Sequence, residues 1–138
     1  TGSTGNVGTE VVKQLAAGGH KVRALVRDTK EATGKFPTTV DVVVGDLDNL
    51  ESLVKAMKGI EKVYLLAPFT PRIVEHEASA LEAMKRANVR RVVKHSALGA
   101  QWEGITLARW HRAGEKAIEP RTLPPASVKP FLQASSAS

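Results

Sequence analysis

The sequence contains no cysteine, which excludes disulfide bonds, thiolate metal sites and a cysteine nucleophile. Aromatic residues are scarce at 4%, and there is a single tyrosine. No apolar run approaches the roughly 20 residues that a membrane-spanning helix requires, and no signal peptide is recognisable. We therefore expect a cytoplasmic protein that does not enter a membrane.

Acidic residues are also few, 14 against 20 basic ones, which gives a formal net charge of +6. The basic residues are scattered along the chain, and no motif combines them with aromatic residues as RNA-binding modules do. We therefore expect no nucleic-acid partner and attribute the excess charge to attraction of a polyphosphate cofactor. His20 and His76 have no ligand-like companions in the sequence, so no metal site is expected.

Glycine is concentrated at the start of the chain, where TGSTGNVG has the spacing Gly2-x-x-Gly5-x-x-Gly8. The stretch VVKQLAAGG that follows has helical periodicity. The first amides of a helix lack intrahelical partners and carry partial positive charge, and glycine lets an anion approach them. The pattern predicts a loop that holds the pyrophosphate of a dinucleotide, provided that strands and helices alternate after it.

The rest of the chain alternates in this way. Strands are predicted at residues 21–26, 40–46, 62–68 and 91–97, with a short helical turn before Gly34. A helix is predicted after Asp48, which would cap it, with apolar positions Leu50, Leu53, Met57 and Ile60. A second is predicted over residues 71–88, with one apolar face made of Val74, Ala78, Leu81 and Met84, and a third over residues 108–119. The order predicts an α/β fold, a Rossmann-like doubly wound parallel sheet with ligands at the carboxyl ends of its strands.

The predicted fold is incomplete at both ends. A central strand should precede the glycine loop, yet Thr1 is the first residue, so we expect a fragment of a longer protein or a domain that needs a partner. Residues 120–138 end in an Ala/Ser-rich stretch, and we expect an irregular tail there, either genuine or produced by a reading-frame error after Glu119. Four prolines exclude a central strand from this tail: Pro120, Pro124, Pro125 and Pro130.

The ordered segments TGSTGNVG, ALVRD, GDL, LLAP, HSALGA and WHRAGEKAIE resemble the NmrA-like branch of the atypical short-chain dehydrogenase/reductase superfamily. Within it the chain looks most like the triphenylmethane-reductase, NAD(P)H-azoreductase and quinone-reductase-like proteins. The resemblance implies that residues 1–119 form an NAD(P)-binding Rossmann domain that reduces a small-molecule electron acceptor. It also implies a C-terminal substrate portion, which this chain lacks after residue 119.

The resemblance assigns cofactor contacts to the strand ends. Arg27 would bind the 2′-phosphate of NADP, with NAD as the alternative cofactor and a solvated surface arginine as the alternative role. Asp46 and Leu47 would lie against adenine, unless Asp46 only starts a turn or caps a helix. Ala67 and Pro68 would line the path toward nicotinamide. The phosphate loop would comprise Thr1, Gly2, Thr4, Gly5, Asn6 and Val7, with Gly8 permitting close helix packing.

The superfamily's usual catalytic Tyr-x-x-x-Lys pair is missing, because the one tyrosine, Tyr64, lies inside a predicted strand. Ser96 stands where the superfamily places its catalytic serine, although it is also a common turn former. His111 and Glu115 are four residues apart on one helix face, so His111 would donate a proton or orient substrate while Glu115 holds its tautomer. The alternative is an exposed pair with no catalytic role. His95 is expected in the core or in the cofactor wall.

Three functions remain open on these grounds. The first is an NADPH-dependent reductase of quinones, azo compounds or dyes. The second is a non-catalytic NADP(H) redox sensor, and the third is a truncated module with little activity. Hydride transfer to an electron-poor acceptor does not require a protein acid, so the missing tyrosine does not exclude a reductase.

Overall fold

The computed structural model describes residues 1–96 and 106–118, and the predicted tail at 120–138 lies outside them. No helix in the described part of the chain is long and apolar enough to cross a membrane. The predicted alternation of strands and helices is confirmed, although three of the four strands end two or three residues earlier than predicted. The elements are α1 (Asn6–Ala17), β1 (Arg23–Val26), a 3-10 helix (Thr29–Ala32), β2 (Asp41–Val44), α2 (Leu50–Met57), β3 (Lys62–Leu65), α3 (Ile73–Arg86), β4 (Arg91–Lys94) and α4 (Thr106–Ile118).

The four strands form two parallel pairs. In one pair Arg23 of β1 lies opposite Asp41 of β2, and in the other Lys62 of β3 lies opposite Arg91 of β4. Among residues 1–96 and 106–118 no strand joins β1 to β3, so the two pairs are separate sheets. This is the arrangement expected of a doubly wound sheet without its central strand.

The helix ends follow local sequence chemistry. Gly19 has a positive φ of 81° just beyond α1, and the amide of His20 closes the helix on the carbonyl of Leu15. At the start of α2 the side chain of Asn49, not that of Asp48, accepts a hydrogen bond from the amide of Ser52. The predicted Asp48 cap is therefore wrong, because that carboxylate turns instead toward α3.

The apolar core is unevenly divided between the two sheets. The larger cluster lies where α2, α3 and α4 cover β3 and β4. The smaller one lies beside β1 and β2 and contains three buried residues, Val12, Ala24 and Val40. The larger cluster comprises Leu53, Met57, Val63, Leu65, Ala80, Leu81, Ala83, Met84, Val92 and Ile118.

The apolar face predicted for α3 is wrong at two of its four positions. Val74 and Ala78 are exposed, whereas Glu77 lies inward and is 1% exposed. Glu77 can lie inward because its carboxylate pairs with Lys94 on the inner face of β4.

The Glu77–Lys94 pair lies in the interior, with the Lys94 Nζ atom 2.6 Å from Glu77 Oε1. Burial raises the pKa of the Glu77 carboxyl, while the Lys94 charge opposes that rise. Helix α4 passes directly over the pair at Gly114, where a Cβ atom would lie 1.7 Å from Glu77 Oε2. Glycine at this position therefore allows α4 to pack directly against the Glu77–Lys94 ion pair.

We expect Lys94→Met to lower the free energy of unfolding by about 3–5 kcal/mol, because Glu77 would remain buried without a counter-charge. Denaturant-induced unfolding measures the change. The matched control is Arg86→Met, which removes exposed ion pairs with Glu82 and Glu51 and should cost less than about 1 kcal/mol. Equal losses for the two variants would contradict the importance of the buried pair.

Candidate functional site

The glycine loop is attached to the end of β3 through Thr1. The Thr1 hydroxyl donates to the Leu66 carbonyl at 2.7 Å and accepts from the Leu66 amide at 2.9 Å. The backbone nitrogen of Thr1 also donates to the Tyr64 carbonyl at 2.8 Å. These bonds place the loop at the carboxyl end of β3, which is the ligand-binding edge of this kind of fold.

Two of the three glycines are required by close backbone contact. A Cβ atom on Gly8 would lie 1.9 Å from the Gly2 carbonyl oxygen, and Gly2 itself has a φ of 63°. Gly5 differs, because its nearest neighbour to a Cβ atom would be the Gly2 carbonyl oxygen at 3.6 Å. The space above Gly5 is therefore open.

The amino end of α1 is prepared for an anion. Gly5 is its N-cap, no side chain accepts from its first amides, and its first turn contains no acidic residue. Unpaired amides and the helix dipole favour negative charge at such a terminus. A phosphate is the group that this open, positively polarised position fits.

A cavity of about 100 Å³ lies beside the loop. Its walls come from the glycine loop, from β1 and the segment after it, from the loops after β2 and β3, and from α3. The lining residues are Thr1, Gly2, Ser3, Thr4, Leu25, Val26, Arg27, Glu31, Gly45, Leu47, Pro68 and His76.

A charged cluster connects the loop after β2 to α3. Asp48 accepts a hydrogen bond from His76 Nε2 at 3.1 Å and pairs with Arg72 Nη2 at 2.7 Å. Burial alone would raise the pKa of Asp48, but the hydrogen bond from His76 and the charge of Arg72 hold it below its ordinary value. The carboxylate stays charged and ties the loop carrying Leu47 to one wall of the cavity.

The sequence matches the model of a family described as NAD(P)H-binding over residues 2–130. The chain belongs to this NAD(P)H-binding family. The predicted cofactor class is therefore confirmed.

Several relatives of this NAD(P)H-binding chain are reductases by name. The NAD(P)H azoreductase of Xenophilus azovorans is 30% identical over 135 residues, covering 96% of this chain and 47% of that protein. The structure of Citrobacter sp. triphenylmethane reductase complexed with NADP(H) matches with a TM-score of 0.79 at 28% identity, over 87% of this chain and 44% of that one.

An NADPH-dependent quinone oxidoreductase from Escherichia coli is also similar in structure. It matches with a TM-score of 0.72 at 26% identity, over 85% of this chain and 41% of that one. The chain thus spans less than half the length of these relatives. The predicted family resemblance and Rossmann-like fold are confirmed.

Six of the predicted cofactor residues line the cavity: Thr1, Gly2, Thr4, Arg27, Leu47 and Pro68. Gly5 and Gly8 lie in the loop and helix start behind it. Asn6 and Val7 face a separate shallow depression on α1.

Asp46 and Ala67 lie next to cavity residues without lining the cavity themselves. Asp46 Oδ1 accepts from the amide of Asp48 at 2.9 Å, the geometry of the turn former that was the alternative role. Ala67 is 8% exposed and packs in the interior.

Two of the predicted catalytic residues meet at the end of β4. The Ser96 hydroxyl donates to Glu115 Oε1 at 2.5 Å, and Glu115 Oε2 accepts from Arg112 Nη1 at 3.2 Å. Ser96 is buried, at 3% exposure. The side chain of His111 lies outside the described residues, so the contacts seen for Glu115 are with serine and arginine.

Tyr64 and His95 are side by side on neighbouring strands. The Tyr64 hydroxyl lies 2.9 Å from His95 Nδ1, and the rings meet edge to face. Burial lowers the pKa of His95, and the nearby positive charge of Lys94 lowers it further. The predicted packing role of Tyr64 agrees with this position within a strand.

An aromatic pair at the ligand edge was not anticipated from the sequence. Phe69 follows Pro68 and is 64% exposed, and its ring centroid lies 6.1 Å from that of Trp110 on α4 at an interplanar angle of 54°. The available sign in the sequence was a phenylalanine directly after the proline that ends the predicted strand. Within the described residues no cluster of three potential metal ligands occurs.

We expect His95 to titrate below its ordinary pKa of 6.5, because burial and Lys94 both disfavour its charged form. The folded state binds this proton less tightly than the unfolded chain, so His95 favours folding above pH 6.5 and the stability falls as the pH drops below it. An NMR titration, with the resonance assigned by its loss in His95→Gln, measures the midpoint. A midpoint at or above 6.5 would be inconsistent with the packing described here.

Proposed function

We propose that the protein is an NAD(P)H-dependent reductase that passes hydride to a conjugated, electron-poor acceptor such as a quinone, an azo compound or a dye. Membership of the NAD(P)H-binding family supports the cofactor. Similarity to reductases named for azo, quinone and triphenylmethane compounds supports the acceptor class.

The observation that carries the proposal is the uncapped start of α1 facing the open space above Gly5. A phosphate there would accept from amides that no side chain in residues 1–96 and 106–118 satisfies. The Thr1 bonds to Leu66 hold this position still before any ligand arrives. The residues present therefore fit the pyrophosphate of a dinucleotide.

The remaining cofactor contacts are proposed around this anchor. Arg27, 76% exposed in its side chain and 3.6 Å from Glu31, would bind a 2′-phosphate at the cavity mouth. Asp46 and Leu47 lie at the end of β2, where adenine would rest against them. Ala67 and Pro68, after β3, lead toward the nicotinamide end.

The acceptor is proposed to bind near the Phe69–Trp110 pair. An exposed aromatic surface at the ligand edge suits a flat conjugated molecule, since aromatic rings stack with favourable offset or tilted geometry. When bound, the cofactor supplies the hydride. We propose that Ser96, whose hydroxyl donates to Glu115, orients the acceptor or exchanges a proton with it.

We expect Gly5→Ala to leave folding unchanged and to weaken NADPH binding by about tenfold or more, because the new methyl would occupy the phosphate position. Calorimetric titration with NADPH measures binding, and thermal unfolding without cofactor measures stability. Gly18→Ala, the same change at the other end of α1, is the control and should alter neither quantity. If Gly5→Ala bound NADPH with unchanged affinity, the proposal that a phosphate binds beside Gly5 would be contradicted.

Oxidation of NADPH by a panel of quinones, azo dyes and triphenylmethane dyes tests the proposed activity. We expect turnover, with Ser96→Ala and Glu115→Gln lowering kcat about tenfold or more while NADPH affinity is kept. Phe69→Ala should raise KM for large flat acceptors more than for a single-ring quinone.

The other outcomes identify the alternatives. Tight NADPH binding without oxidation by any acceptor would indicate a redox sensor. Absence of binding to either nicotinamide cofactor would indicate a module that does not function as this chain stands.

A further inference from the structure

A carboxylate lies at the adenosine end of the proposed cofactor cavity. Glu31, on the 3-10 helix after β1, lines the cavity and is 34% exposed in its side chain. Its Oε2 atom accepts from the Thr4 hydroxyl of the glycine loop at 3.4 Å. Its Oε1 atom lies 3.6 Å from Arg27 Nη2.

Glu31 is the sole acidic side chain among the described residues that line this cavity. Asp28, the other acid in this loop, caps the 3-10 helix by accepting from the amide of Lys30 and is not a lining residue. Asp46 accepts from the Asp48 amide and lies outside the lining as well. The negative charge presented to a ligand at this end therefore belongs to Glu31.

The charges around Glu31 favour two different ligands. An arginine fork pairs with a phosphate, whereas a carboxylate accepts hydrogen bonds from ribose hydroxyls and repels a phosphate. Arg27 and Lys35 supply positive charge, the latter through an Nζ atom that donates to the Thr4 carbonyl at 3.2 Å. Glu31 pairs with Arg27 and, like Lys35, contacts Thr4, so its negative charge opposes their effect.

We propose that Glu31 is a cofactor-selecting residue that accepts from the adenosine ribose hydroxyls and counteracts Arg27, so that the protein uses NADH as well as NADPH. The inference rests on the proposed function, since it places the adenosine of the same cofactor in the same cavity. With NADPH bound, Arg27 attracts the 2′-phosphate and Glu31 repels it. With NADH bound, Glu31 accepts from the 2′-hydroxyl. The two residues therefore reduce the preference for either cofactor.

Titration of the protein and its Glu31→Gln variant with NADH and NADPH tests the proposal. We expect the unaltered protein to bind the two cofactors within about tenfold of one another, and Glu31→Gln to shift the ratio of their Kd values toward NADPH by about tenfold or more. Arg27→Gln should shift the ratio the opposite way. Both shifts should shrink at high salt, because they arise from charge.

Glu61→Gln is the matched control. It removes the same charge from a residue just before the amino end of β3, which does not line the cavity, and should leave the ratio unchanged. Titration with 2′-phospho-AMP and 5′-AMP isolates the adenosine end and should reproduce the selectivity of the whole cofactors.

The outcomes separate the inference from the function on which it depends. Equal weakening of both cofactors in Glu31→Gln would assign Glu31 a structural role through Thr4 and overturn the inference. A preference of the unaltered protein for NADPH above about a hundredfold would also overturn it. Absence of binding to either cofactor in the unaltered protein would instead overturn the proposed function.

Discussion

The close passage of α1 beneath the glycine loop is the contact on which the rest of the site depends. Only a residue without a side chain fits at Gly8, because any Cβ atom would overlap the Gly2 carbonyl. This proximity brings the unpaired amides at the start of the helix next to the glycine loop, where Gly5 is exposed. Thr1 then attaches the loop to β3. The site is thus shaped by backbone contact, and side chains select among ligands that the backbone already admits.

The parts of the fold that follow from local chemistry could be predicted from the sequence. The glycine spacing indicated the loop, and β-branched runs indicated all four strands, because buried parallel strands are apolar on both faces. Their ends were less certain, since a strand stops where its partner does. The predicted continuation of β3 to Pro68 was too long for this reason, as pairing ends at Leu65.

Charged residues whose partners are distant in sequence were the main source of error. Aspartate is a common helix cap, but the Asp48 carboxylate instead accepts a hydrogen bond from His76, which lies 28 positions away in the sequence. Glu77 occupies an inward position that hydrophobic periodicity assigns to apolar residues, because Lys94 meets it from another strand. The alternation of Val92 and Lys94 on one face of β4 was a sign of that pairing. Such pairs form only in the tertiary structure, so the residues next to each partner in the sequence give little indication of them.

The two groups of elements that line the cavity are packed against apolar clusters of unequal size. Among the described residues, ten buried side chains pack together around β3 and β4, whereas the cluster beside β1 and β2 contains three, so hydrophobic burial holds the second group less firmly. The cavity takes its walls from both groups, with Arg27 and Leu47 on one side and Pro68 and His76 on the other. A dinucleotide seated there would contact both groups, and its binding energy would add to the few apolar contacts that hold the weaker group.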